Sequence, residues 1–165
     1  MSDAIVTLRR IVIMLGIATV GLSLPANAAT IRRETQVAVP PDLAWAAVRD
    51  VGRVDQRLAR GFIAATTFEG NTRTVTFANG RVVREVITGI DDAARRLAYS
   101  AVGGRAAHHA ASLQVLPDGS GSRLVWITDV LPDSLDVPIG TLMDEGIAAM
   151  KRTLEADARP TAQTR

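Results

Sequence analysis

The sequence contains no cysteine, and this absence excludes several kinds of chemistry. Without cysteine, the chain forms no disulfide, offers no thiolate nucleophile and carries no lipoprotein-type cysteine anchor. Its two histidines, His108 and His109, are neighbours on a predicted strand, so their side chains point to opposite faces. They cannot chelate one metal ion together, and no H-x-H or H-E-x-x-H spacing occurs. The sequence therefore predicts no metal site and no cofactor.

Motifs of the common nucleotide-binding and hydrolytic enzymes are also absent. The sequence has no G-x-S-x-G nucleophile elbow, no G-x-G-x-x-G fingerprint and no P-loop. The formal net charge is only +2, because abundant arginine is nearly balanced by acidic residues. No basic run has interleaved aromatic residues, so we expect no nucleic-acid partner.

No apolar run is as long as a membrane-spanning helix. Residues 11–24 form an apolar run of 14 residues, whereas a spanning helix needs about 20. Arg9-Arg10 precedes this run, and Ala26-Asn27-Ala28 follows it as an A-x-A pattern before Ala29. This layout predicts a secretory signal peptide over residues 1–28, with a retained membrane anchor as the alternative. We expect a periplasmic or secreted protein with no stable membrane span after cleavage.

The remaining chain is long enough for one domain, residues 29–158, followed by a polar tail, residues 159–165, that we expect to be disordered. The patterns predict a strand, two short helices, six further strands and one long helix from about Asp136 to Asp157. Strands joined by short turns form an antiparallel sheet with one apolar face to cover. Because only the last helix is long enough to cover it, we expect the sheet to curl around that helix, an α+β fold.

One carboxylate is predicted on the inner face of this sheet. Asn79-Gly80 is typical of a two-residue hairpin turn, and a strand resumes after it. In that strand Val83, Glu85 and Ile87 share one face. A carboxylate among apolar neighbours costs free energy unless a partner satisfies it. Glu85 is therefore either a polar anchor inside a container or a glutamate that faces solvent or pairs with an arginine.

The order of these elements resembles the START-like (SRPBCC) superfamily, which includes polyketide cyclase/dehydrase-type proteins and pollen-allergen-type lipid carriers. The resemblance covers about residues 31–155 and implies a helix-grip fold. In that fold a curved antiparallel sheet of about seven strands surrounds a long C-terminal helix, with two short helices between strands 1 and 2 and a cavity inside. The segments that carry the resemblance are Val39-Pro40-Pro41 before a helix with Trp45, Arg84-Glu85-Val86-Ile87, Asp91-Asp92, Leu97-Ala98-Tyr99-Ser100, and the Trp126 strand that ends at Leu131-Pro132.

The resemblance also implies which residues line the cavity and bind a ligand. The implied residues are Glu85, Tyr99, Ala101, His109, Ala111, Leu113, Ile127, Asp129, Leu142, Gly146 and Met150. The strand with Ile127 and Asp129 has an alternative register, because a one-residue slip exchanges the faces of a strand. The inner face would then consist of Leu124, Trp126, Thr128 and Val130.

Small residues on the predicted inner faces have two interpretations. Ala101, Ala111 and Gly146 either let the helix pack tightly against the sheet or leave space for a ligand, and the family resemblance favours space. A ligand cavity has a volume of about 300–1,000 Å³. His109 either contacts this ligand or bonds to the backbone at the cavity rim.

Three functions remain after these exclusions. The leading hypothesis is an exported carrier or sensor that binds a hydrophobic or amphipathic small molecule or lipid. The alternative is a cyclase- or dehydratase-like enzyme that uses Glu85 or His109 as general acid or base. A third is an envelope protein whose groove binds another protein, which a large exposed apolar patch would favour.

Overall fold

The computed structural model describes residues 27–159. The predicted signal peptide, apart from Asn27 and Ala28, and the predicted tail, apart from Arg159, lie outside the described residues. Within them the elements are β1 (Ala29–Val37), α1 (Pro41–Val48), α2 (Val54–Arg57), β2 (Ile63–Glu69), β3 (Thr72–Phe77), β4 (Val82–Asp91), β5 (Arg96–Val102), β6 (His108–Asp118), β7 (Gly121–Leu131), a 3₁₀ turn (Asp133–Leu135) and α3 (Asp136–Asp157).

The seven strands form one antiparallel sheet in the order β1-β7-β6-β5-β4-β3-β2. Strands β2 to β7 lie in sequence order because short turns join them. The first strand crosses to the far edge and pairs with the last, from Ala29 opposite Val130 to Val37 opposite Ser122. This is the predicted α+β helix-grip architecture, with the two short helices between β1 and β2.

Helix α3 covers the inner face of the sheet. Met143, Ile147, Met150 and Leu154 recur at helical spacing and are buried. Burying each such side chain contributes about 1.5–3 kcal/mol, so this stripe fixes the helix on the sheet. Among residues 27–159, no helix combines the length and the apolar character needed to cross a lipid bilayer.

The β3–β4 hairpin has a three-residue loop, residues 78–80, rather than the predicted two-residue turn. The Phe77 backbone N–H donates to the Arg81 carbonyl at 2.8 Å, and Gly80 takes a positive φ of 82°. The extra loop residue shifts the strand register by one. As a result Arg73 lies opposite Glu85, where a two-residue turn would have put it opposite Val86.

Candidate functional site

A cavity of about 400 Å³ lies between the sheet and α3. This volume falls in the usual range for small-molecule sites. Apolar side chains from both layers form most of the wall, for example those of Val75, Phe77 and Met143. The exposed wall residues are Arg81 and Val82, where β4 begins, and residues 103–105, just after β5 ends, so the cavity opens there.

Most of the residues predicted to line a cavity do so. The structure places seven of them in the wall: Glu85, Tyr99, Ala101, His109, Leu113, Leu142 and Met150. Their contact with a ligand stays a prediction.

Ala111 and Gly146 are not among the wall residues. Ala111 is buried in the core opposite Tyr99 on the neighbouring strand. A Cβ on Gly146 would lie 2.8 Å from Cζ3 of Trp126 and 3.0 Å from Cε1 of Phe62. The small size of Gly146 therefore makes room for an indole ring, so tight packing is the correct interpretation at this position.

The prediction that Ile127 and Asp129 face the cavity is wrong. Trp126 and Thr128 lie in the cavity wall, which is the alternative register. Asp129 is exposed on the opposite face, where it accepts a hydrogen bond from the Thr30 hydroxyl at 2.6 Å. This arrangement keeps the carboxylate hydrated and avoids the cost of burying it unpaired.

Glu85 forms a buried ion pair with Arg73, a residue that was not predicted. Nε of Arg73 donates to Oε2 of Glu85 at 2.7 Å, and the two side chains are only 6% and 11% exposed. The guanidinium carbon lies 5.2 Å from the centre of the Tyr99 ring. Glu85 is thus both inside the cavity and paired with an arginine, so the two interpretations of this residue are combined. The alternation that puts Val75 and Phe77 on the inner face of β3 also puts Arg73 there.

Tyr99, whose ring packs against Arg73, carries a protonated hydroxyl. Its oxygen accepts a hydrogen bond from the Trp126 indole N–H at 3.0 Å. Burial raises the pKa of Tyr99 well above its ordinary value, because the phenolate would be poorly solvated. The hydroxyl therefore keeps its proton at neutral pH and remains able to donate it.

His109 joins two strands where their backbone pairing ends. The regular β5–β6 pairing stops at Tyr99 opposite Ala111, and the next N–H on this side of β5, that of Ala101, donates to Nδ1 of His109 at 3.1 Å. Burial lowers the pKa of His109, so the ring is neutral near pH 7. Because Nδ1 accepts a proton donor, the ring proton is on Nε2. His109 is thus a wall residue that also bonds to the backbone at the rim.

The described residues offer no metal-binding cluster. No group of three or more His, Cys, Asp or Glu side chains lies together within residues 27–159. The polar groups that reach the cavity are suited to hydrogen bonding and charge recognition.

The family described as "Polyketide cyclase / dehydrase and lipid transport" has a model that matches residues 28–161. The chain belongs to this family. No curated protein sequence matches it.

Solved structures share the fold at low sequence identity. A protein from Bacillus thuringiensis is 14% identical, with a TM-score of 0.69 over 76% of this chain and 98% of its own. Norcoclaurine synthase from Thalictrum flavum, in complex with dopamine and hydroxybenzaldehyde, is 16% identical, with a TM-score of 0.65 over 93% and 100%. A Thermobifida fusca protein is 22% identical, with a TM-score of 0.63 over 82% and 99%.

Proposed function

We propose that this protein binds a hydrophobic or amphipathic small molecule in the cavity and acts as its carrier or sensor. The observation that carries the proposal is an apolar space of about 400 Å³ beside an opening. Protein interiors are otherwise close-packed, and voids larger than a water molecule are few. Burial of the ligand's apolar surface would supply about 25 cal/mol per Å² before the costs of ordering are subtracted.

The family and the fold support the same proposal. The family description includes lipid transport. The norcoclaurine synthase structure holds dopamine and hydroxybenzaldehyde, so a protein of this fold accommodates small molecules with both apolar and polar parts.

The experiment that tests this function combines detection of a ligand with closure of the cavity. Protein purified from its own cells without detergent is examined by native mass spectrometry, and the melting temperature is measured with a panel of lipids and aromatic compounds. Ala101→Phe places a ring in the cavity, whereas Val102→Phe places the same ring on the exposed outer face one residue away.

We expect bound species and melting shifts in the wild type and in Val102→Phe, and their loss in Ala101→Phe. Absence of any bound species together with no melting shift in the wild type would refute the proposal. Equal shifts in both variants would place binding elsewhere on the protein.

A catalytic role is the alternative, because the two candidate general acids or bases, Glu85 and His109, reach the cavity. The hydrogen bonds that these two side chains make favour a binding role over a catalytic one. Arg73 engages the Glu85 carboxylate, and the nitrogen of His109 that does not bond to the backbone is the protonated one. Conversion of a bound compound by the wild type, but not by Glu85→Gln/His109→Gln, would establish catalysis instead.

We also propose that the protein is exported and acts in the periplasm or outside the cell. The support is the apolar run at residues 11–24 followed by Ala26-Asn27-Ala28. N-terminal sequencing of the protein from a cell-envelope fraction is the test. A mature chain that begins near Ala29 is expected, and a chain that begins at Met1 or Ser2 in the cytoplasm would contradict it.

A further inference from the structure

Arg73 has donors that no group in the described part of the chain uses. Its Nε bonds to Glu85, but its two terminal nitrogens donate to no group within residues 27–159. Asp55 Oδ1 is the one fully enclosed side-chain polar atom without a partner among the described residues. The terminal nitrogens of Arg73 are therefore not fully enclosed by protein, and the Arg73 side chain is part of the cavity wall.

Two further donors follow Arg73 along the wall, on Tyr99 beside it and on His109 beside Tyr99. The guanidinium packs 5.2 Å from the ring centre of Tyr99, and that ring lies 6.3 Å from the ring of His109. The Tyr99 hydroxyl accepts from Trp126, so its own proton is free to be donated. His109 keeps its proton on Nε2 because Nδ1 accepts from the backbone. Three neighbouring side chains in the wall thus offer donors, whereas Glu85 is the one carboxylate there and is already bonded to Arg73.

The charged residues around the cavity also favour a negatively charged ligand. Glu85 compensates Arg73, but Arg81 and Arg105 also lie in the wall, near the opening. Neither of these two lies within ion-pair distance of a carboxylate in residues 27–159. With neutral His109, the wall carries three arginines against one carboxylate, so it favours a negatively charged guest.

We propose that the ligand is an amphipathic carboxylate whose head group accepts hydrogen bonds from the terminal nitrogens of Arg73 and from Tyr99. Its apolar part lies among the aliphatic and aromatic side chains of the wall. A guanidinium and a carboxylate match as a planar, two-bonded pair, which is stronger and more directional than a neutral contact. Glu85 is a positioning residue, because it holds Nε and so leaves the other edge of the guanidinium for the ligand. The inference rests on the proposed binding function and names the class of ligand.

Three probes with the same alkyl chain and different head groups test the charge preference. Dodecanoate, dodecan-1-ol and dodecyltrimethylammonium are titrated separately into the protein at neutral pH, below their micelle concentrations, with binding measured by calorimetry. Charge-assisted hydrogen bonds predict that dodecanoate binds about 10- to 100-fold more tightly than the alcohol, with the cation weakest.

Variants then assign the preference to Arg73. Arg73→Gln/Glu85→Gln removes both charges together, so no carboxylate is left buried without its partner. It is expected to lose most of the preference while the alcohol still binds, with only the longer-range attraction of Arg81 and Arg105 left. Arg73→Lys keeps the charge but loses the planar fork, and it should retain only part of the preference. Arg84→Gln is the matched control, because this exposed arginine neighbours Glu85 on the opposite face of β4. Thermal melts confirm that each variant is folded.

The outcomes separate the ligand class from the binding function. Equal binding of all three probes, or tightest binding of the alcohol or the cation, overturns the carboxylate proposal and leaves cavity binding intact. A preference for dodecanoate that is undiminished in Arg73→Gln/Glu85→Gln also overturns it, since the head group then lies elsewhere. If none of the probes binds, the carboxylate proposal fails, whereas the binding function is decided by native mass spectrometry and the melting panel.

Discussion

Replacing Arg73 with methionine is expected to destabilise the protein strongly, because it leaves the Glu85 carboxylate buried without its partner. The two side chains are only 6% and 11% exposed, so solvent screens the remaining charge poorly. Removing one member of such a buried pair costs about 3–5 kcal/mol. Methionine keeps much of the side-chain volume, so loss of packing contributes little to this cost.

Removing both charges should reverse most of this effect. In Arg73→Met/Glu85→Leu no charge is buried, and such replacements of buried pairs are often neutral or stabilising by about 1–4 kcal/mol. The double variant is therefore expected to be more stable than Arg73→Met, although it has lost one more native side chain.

A surface pair provides the control. Arg32 and Glu34 are joined at 2.9 Å, but their side chains are 54% and 43% exposed, so Arg32→Met should cost at most about 1 kcal/mol. Urea unfolding followed by tryptophan fluorescence measures all three variants. A loss in Arg73→Met as small as that in Arg32→Met, or a double variant less stable than Arg73→Met, would refute the reasoning.

Two further predictions follow from the wall and the helix. Because burial lowers the pKa of His109, the unfolded chain binds a proton at higher pH than the folded one, so stability should fall as the pH decreases below about 6.5. Melting curves across pH should show a smaller fall in His109→Gln and an unchanged one in the exposed His108→Gln; the same fall in both variants would contradict this. Gly146→Ala should lower the melting temperature, since its Cβ would lie 2.8 Å from Trp126, and overpacking typically costs about 1–3 kcal/mol. Gly140→Ala on the same helix comes closest to the end of the Arg33 side chain, at 2.9 Å, and otherwise makes an ordinary contact with Ile31, so it should be tolerated. Equal losses in both variants would show that the indole ring is not the cause.

The fold was predictable because its signals are local and agree with one another. Turn residues divided the chain into short strands, and one apolar stripe, from Met143 to Leu154, identified the helix that covers the sheet. The inward direction of Glu85 followed from its neighbours Val83 and Ile87 by the two-residue period of a strand. These patterns need no knowledge of distant contacts.

The partner of Glu85 was missed because it depends on the length of one loop. A two-residue turn at Asn79-Gly80 would set Arg73 opposite Val86, and only the observed three-residue loop sets it opposite Glu85. A period-2 interpretation of β3 puts Arg73 on the inner face with Val75 and Phe77, but it does not set Arg73 opposite Glu85.

The other errors come from packing that local patterns do not encode. Strand β7 has apolar residues on both faces, such as Val125 and Trp126, so alternation did not select the inner one. Gly146 was expected to leave open space, but whether a small residue makes a void depends on what packs against it. Here the Trp126 ring, distant in sequence, fills the space.

The end of the β5–β6 pairing has a mechanical consequence. Beyond Tyr99 and Ala111, the imidazole of His109 accepts a hydrogen bond from the backbone N–H of Ala101. The outer edges of β5 and β6 are paired with β4 and β7. A side-chain hydrogen bond therefore bridges β5 and β6 beside the glycines at positions 103 and 104, where the backbone pairing of these strands has ended. Turning the His109 ring aside would break that hydrogen bond and leave the backbone pairing from Arg96 to Tyr99 intact.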